Sequence, residues 1–84
     1  MNNIFKTNQY KVLEIMCNNR VAIAGKEYCP LGQGDVGREL HLSRAVVNRI
    51  FTELKEAGYI NMIARGKWEM SKEAINIIQT TQRL

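Results

Sequence analysis

The chain has 84 residues, of which 45% are hydrophobic and 24% charged, with a formal net charge of +4 and a pI near 9.3. That length suffices for one domain, residues 1–84, with a small core and no second globular unit. No stretch approaches the roughly 20 apolar residues of a membrane span, and the opening Met-Asn-Asn-Ile-Phe-Lys lacks the apolar run of a signal peptide, so the expected location is cytoplasmic.

The first predicted helix runs from about Thr7 to Asn18, capped by Thr7 or Asn8. Tyr10, Leu13 and Cys17 form one apolar stripe, and Val12, Ile15 and Met16 widen it beyond what a helix with one solvated side requires. The segment from Asn19 to Leu31 is long for a helix connection in so small a domain. Within it, Val21 to Ala24 either extends the helix or stands apart, and Lys26 to Cys29 is a candidate short strand that Pro30 ends. Cys17 and Cys29 match no zinc spacing, and one histidine cannot complete a site. No metal, cofactor or catalytic residue is therefore assigned. Cys17 is expected to be buried on the helix face and Cys29 to be the more exposed.

Gly32, Gly34 and Gly37 each cost up to about 1 kcal/mol relative to alanine inside a helix, so the second helix is expected to start late or be soft. Gly32-Gln-Gly34 lacks the Gly-Lys-Ser/Thr continuation of a phosphate loop. Val36 and Leu40 lie four apart, and the small Gly37 between them allows close approach of a second helix. His41 falls at a sharp turn, where a positive φ is usual and His is tolerated. Leu42 tucks under it.

The third helix is the most informative element. Ser43 is a good N-cap. Val47, Ile50, Phe51 and Leu54 recur at helical spacing, and Gly58 is a natural stop because it adopts the left-handed cap without steric cost. Ala45, Asn48, Arg49 and Thr52 fall on the opposite face, with Arg44 near the N-terminus. Arg can bind guanine, and Asn adenine, through paired hydrogen bonds, while Ala or Thr can meet a thymine methyl.

Tyr59 to Ala64 and Trp68 to Ser71 have strand character around Arg65-Gly66-Lys67. A two-residue turn would pair Ala64 with Lys67 and Met62 with Glu69. A three-residue turn pairs Ala64 with Trp68 and Met62 with Met70; it gathers the apolar residues on one side and is the expected register. Either register puts Arg65 and Lys67 at a hairpin tip. Ser71 then caps a last helix, with Glu73 favourably placed in its first turn. Ile75 and Ile78 share a face and Ile77 points elsewhere.

Helix, turn, helix and a hairpin with a basic tip resemble the winged helix-turn-helix family of bacterial and phage DNA-binding regulators. Leu-His-Leu-Ser-Arg is similar to the Leu-Gly-Ile-Ser-Arg of such turns, with His41 in place of Gly, and Leu54…Ala-Gly-Tyr-Ile60 matches the usual exit. The resemblance implies a mainly α fold with a small β-hairpin: a three-helix core, a wing over 60–71 and a C-terminal helix. It implies that the recognition helix, 44–57, enters the major groove and that the wing touches phosphate or the minor groove.

Charge agrees with this. Between residues 44 and 67, five cations (Arg44, Arg49, Lys55, Arg65, Lys67) stand against Glu53 and Glu56, leaving +3 of the net +4; such a local patch is the electrostatic footprint of nucleic-acid binding. The expected function is sequence-specific binding of double-stranded DNA in transcription regulation, not catalysis, since no nucleophile–base arrangement or paired carboxylate appears. Arg44, Ala45, Asn48 and Arg49 are assigned to base reading. Thr52, Lys55, Arg65 and Lys67 are assigned to backbone contact, and Ser43 opens the helix beside them. A homodimer through the N- and C-terminal helices is expected from their wide apolar faces, the alternative being that the 19–31 loop covers them; a dimer also answers the shortage of cations in one copy, about five where six to ten phosphate contacts are typical. A protein-binding winged helix, or a replication or recombination accessory of a mobile element, is the alternative.

Overall fold

The computed structural model describes residues 7–82. The opening segment 1–6, on which the absence of a signal was read, lies outside them. Four helices and four strands follow one another as α1 (Asn8–Asn18), β1 (Val21–Ile23), β2 (Lys26–Cys29), α2 (Gln33–Leu40), α3 (Arg44–Glu56), β3 (Ile60–Ala64), β4 (Lys67–Met70) and α4 (Lys72–Gln82). The strands form one antiparallel sheet in the order β1-β2-β4-β3. This is the winged helix-turn-helix arrangement, with a four-stranded sheet where a single hairpin and one short strand were expected.

Three of the helices start at an amide capped by a hydroxyl. Thr7 Oγ1 accepts from the Tyr10 N–H, Ser43 Oγ from Val46 and Ser71 Oγ from Ala74. The second helix does not start late. Gly32 occupies its N-cap and donates its N–H to Asp35 Oδ2 at 3.0 Å. Gly32 therefore escapes the interior penalty, Gly34 sits in the first turn, and Gly37 alone is interior and buried.

The core holds Val36, Val47, Ile50, Phe51, Leu54, Ile60 and Trp68 buried, with Leu40 and Leu42 half-buried against it. Val12, Leu13, Met16 and Cys17 of α1 and Ala74, Ile75 and Ile78 of α4 join the same cluster. The wide apolar face of α1 is thus largely satisfied within the chain. Cys29, expected to be the more exposed cysteine, is 0% exposed, because it faces the helices from β2 opposite Trp68.

Val21 to Ala24 does not extend α1. Asn19 and Arg20 end that helix, and Arg20 ties its last turn to β2 by donating to the Cys17 carbonyl at 2.8 Å and to Glu27 Oε1 at 2.8 Å. β1 then pairs with β2 around a two-residue loop, Ala24-Gly25. Both loop residues have positive φ, 51° and 81°, as a type I′ hairpin turn requires.

The wing register differs from both expected alternatives. Ala64 pairs with Lys67, but Met62 pairs with Trp68, Asn61 with Glu69 and Ile60 with Met70. The tip is a two-residue turn, with Gly66 in its last position at φ +73°, and the extra residue between Met62 and Ala64 is absorbed as a β-bulge. Turn chemistry decides the tip, and the bulge restores an apolar pair, Ile60 with Met70, over the core. Met62 and Ile63 are left 54% and 47% exposed.

Candidate nucleic-acid interface

The helix-turn-helix geometry begins at Gly37. A Cβ there would lie 3.2 Å from both the Leu42 carbonyl oxygen and Val47 Cγ2, so glycine is the residue that lets α2 and α3 approach this closely. His41 ends α2 in the left-handed region at φ 58°, ψ 42°, and the Leu42 N–H returns to the Gly37 carbonyl at 2.9 Å. This closes the turn in Schellman fashion. With Val47, Ile50, Phe51 and Leu54 buried, the opposite side of α3 is fixed outward. Ser43, Arg44, Ala45, Asn48, Arg49, Thr52 and Lys55 are all exposed, as are Arg65 and Lys67 on the wing.

The wing is locked to α3 by an edge-on contact of Phe51 and Trp68, ring centroids 5.0 Å apart and planes at 67°. That anchor brings the hairpin tip beside the N-terminal half of α3. A groove of about 650 Å³ results, lined by Gln33 and Arg38 of α2, Arg44 and Asn48 of α3 and Arg65 of the wing, with Gly37 and Val47 also in its wall. Three arginines and two amide residues therefore line one concave surface. One of the three, Arg38, is partnered by a carboxylate: Asp35 Oδ1 lies 2.6 Å from its Nη2.

The other sequence-predicted residues are distributed around this groove. Arg49 follows Asn48 by one residue, about 100° around the helix, and so faces the flank away from the groove wall. Glu53 on that flank accepts from Gln9 Nε2 of α1. The Thr52 hydroxyl donates to the Asn48 carbonyl at 2.9 Å, which leaves its methyl group and lone pairs for a partner. Lys55 lies about 16 Å along the axis from Arg44. Lys67 separates from Arg65: its ammonium sits over the Tyr28 ring, 4.8 Å from the centroid, on the outer sheet face where Lys26 also pairs with Glu69.

Arg38 and Gln33 were not singled out by sequence. The available signal was Asp35 three residues before Arg38 on the helix preceding the turn, a spacing that puts both on one face. Elsewhere, no three His, Cys, Asp or Glu side chains among the described residues gather as a metal site would need. Burial pushes both cysteine thiols up, Cys17 being partly drawn back by the Arg20 guanidinium. No helix among the described residues is long and apolar enough to cross a membrane.

No known family profile matches the sequence, and no curated protein matches it. Solved structures do. The reduced Fe(II) form of the CO-sensing protein from R. rubrum superposes with a TM-score of 0.78 at 11% identity, over 92% of this chain. A transcriptional regulator of the CRP/FNR family from Thermus thermophilus superposes with a TM-score of 0.67 at 14% identity, over 90% of this chain. The chain spans only 38% and 40% of those two proteins' lengths. At these identities the likeness establishes the fold.

Proposed function

We propose that this chain is one DNA-binding domain that recognises a specific double-stranded sequence in transcription regulation. The observation that carries the reading is the convergence of Arg44 and Asn48 with the wing's Arg65 on one groove beside an outward-facing α3. A major groove about 12 Å wide admits such a helix. In this reading Arg44, Ala45, Asn48 and Arg49 meet base edges. Ser43, Thr52, Lys55, Arg65 and Lys67 meet the backbone, and the wing lies along phosphate or the minor groove. That one structural neighbour is a transcriptional regulator supports regulation as the setting.

The protein acts as a homodimer in this proposal. α1 and α4 lie side by side, Gln82 Nε2 donating to Asn18 Oδ1 at 3.0 Å, and their outer surfaces, with half-buried Ile77 on α4, form the interface. Two copies bring the cation number into the range of salt-sensitive site binding and read half-sites about one helical turn apart.

Selection of random duplex DNA on the purified protein, with the winners' affinity measured at two salt concentrations, tests this. A palindromic motif with steep salt dependence supports a dimeric regulator. Weak, salt-sensitive binding without enrichment points to a replication or recombination accessory role. No binding at low salt overturns the reading and turns attention to protein partners, for which Val21 and Ile23, 45% and 52% exposed on β1, offer an apolar edge.

A further inference from the structure

We propose that Arg38 is an additional phosphate-binding residue of this surface and that Asp35 is the residue that positions it. The inference rests on the DNA-binding reading above and extends it to the first helix of the pair. The Asp35 carboxylate is held at both oxygens: Oδ2 accepts from the Gly32 N–H at 3.0 Å, and Oδ1 accepts from Arg38 Nη2 at 2.6 Å. A carboxylate anchored to a helix-cap amide cannot follow a swinging side chain, so it favours one orientation of the guanidinium over the others. Arg38 stands in the wall of the groove shared with Arg44, Asn48 and Arg65 and, together with Asp35, at the edge of a second depression beside Ile15 and Glu39.

The pair has little to do for the fold. Its side chains are 76% and 49% exposed, and exposed ion pairs of this kind add little stability. The guanidinium has five donors, and one of them is given to Asp35 in the bond above, so most remain for an acceptor in the groove. When a helix-turn-helix docks, its second helix enters the major groove and its first crosses the backbone. A cation on α2 therefore meets phosphate, not a base edge, and fork-shaped guanidinium suits phosphate oxygens.

The test is a double-mutant cycle read by salt dependence. Binding of the selected duplex and of a scrambled duplex of equal length is measured across a salt series for the wild type, Arg38→Ala, Arg38→Lys, Asp35→Asn and Asp35→Asn with Arg38→Ala. Asn keeps an acceptor for the Gly32 amide. Arg38→Ala is expected to weaken both duplexes by a similar factor and to reduce the salt slope by about 1, with its melting temperature unchanged. Arg38→Lys keeps the slope. Asp35→Asn weakens binding when Arg38 is present and fails to weaken it when Arg38 is absent. An unchanged slope in Arg38→Ala overturns the inference, as does a loss confined to the selected duplex, which would make Arg38 a base reader. Equal effects of Asp35→Asn in both backgrounds remove Asp35 from the role. If the wild type binds no duplex, the DNA-binding reading falls and this inference with it; if the wild type binds and only the Arg38 effects are missing, the inference alone falls.

Discussion

Asn48 and Arg49 are neighbours in sequence but face different flanks of α3, and the two can be told apart by what each loses. Arg49 is exposed with no groove wall beside it, so a reading role depends on insertion of the helix into the duplex. Arg49→Ala should cost about 1–3 kcal/mol at the cognate site and relax sequence preference there; an equal loss on every sequence would make it a backbone contact. The two wing cations differ more sharply. Arg65 lines the groove, whereas Lys67 rests on Tyr28 of the outer sheet face. The sequence treats them as equals, and a uniform weakening with a flatter salt slope is its expectation for Lys67→Ala. The geometry ranks them: Arg65→Ala should lower the salt slope by about 1, and Lys67→Ala by clearly less. Matching slopes for the two variants would mean that the wing turns on binding.

Among the secondary-structure elements, the turn between α2 and α3 and the β1–β2 hairpin are the most constrained pieces. Gly37 sits 3.2 Å, through an added Cβ, from a backbone oxygen and from Val47. The backbone oxygen belongs to Leu42, whose own amide is already tied to Gly37, so it cannot easily give way. Gly37→Val should destabilise the protein by about 2–3 kcal/mol through overpacking, measured by urea denaturation; a loss under about 0.5 kcal/mol would mean the helices can slide apart freely. The hairpin offers the reverse case. Ala24 holds φ 51° in a turn that favours Asn followed by Gly. Ala24→Asn should add about 0.5–1 kcal/mol and raise the melting temperature by a few degrees. A lower melting temperature would contradict the turn conformation described above.

Across the domain, helices lie on one face of the sheet and the core is continuous from α1 to α4. Cys17 and Cys29 are sealed into it, and burial raises both thiol pKa values. A thiol whose folded pKa exceeds its unfolded value favours folding fully below the unfolded value and loses that contribution as pH rises through the folded one. Stability should therefore be insensitive to these groups at neutral pH and decline above the ordinary thiol range of about 8.5. Thermal melts from pH 7 to 10 check this, and Cys29→Ala, whatever its starting stability, should decline less steeply. An identical slope would remove Cys29 from the effect.

Local chemistry made much of the fold legible. Ser43, Gly58 and the spacing of Val47, Ile50, Phe51 and Leu54 bound α3 because caps and helical periodicity act within a few residues. His41 announced its turn, and Ser71 its helix, for the same reason. The β1–β2 hairpin was hidden because Ala24 carries no turn signal; its positive φ is imposed by strand pairing on either side. The wing register was not legible because the apolar pattern of Met62 and Met70 competes with the two-residue turn at Gly66, and the bulge that reconciles them carries no local signal. Cys29 looked exposed beside Pro30, yet pairing of β2 with β4 turns it inward. Short-range pattern was enough to define the helix pair and the chemistry of its outward face. Packing was needed to bring Arg65 into the groove, to draw Lys67 away from it, and to complete it with Arg38 and Gln33. Contacts between elements distant in the chain depend on how those elements pack, which no local pattern encodes.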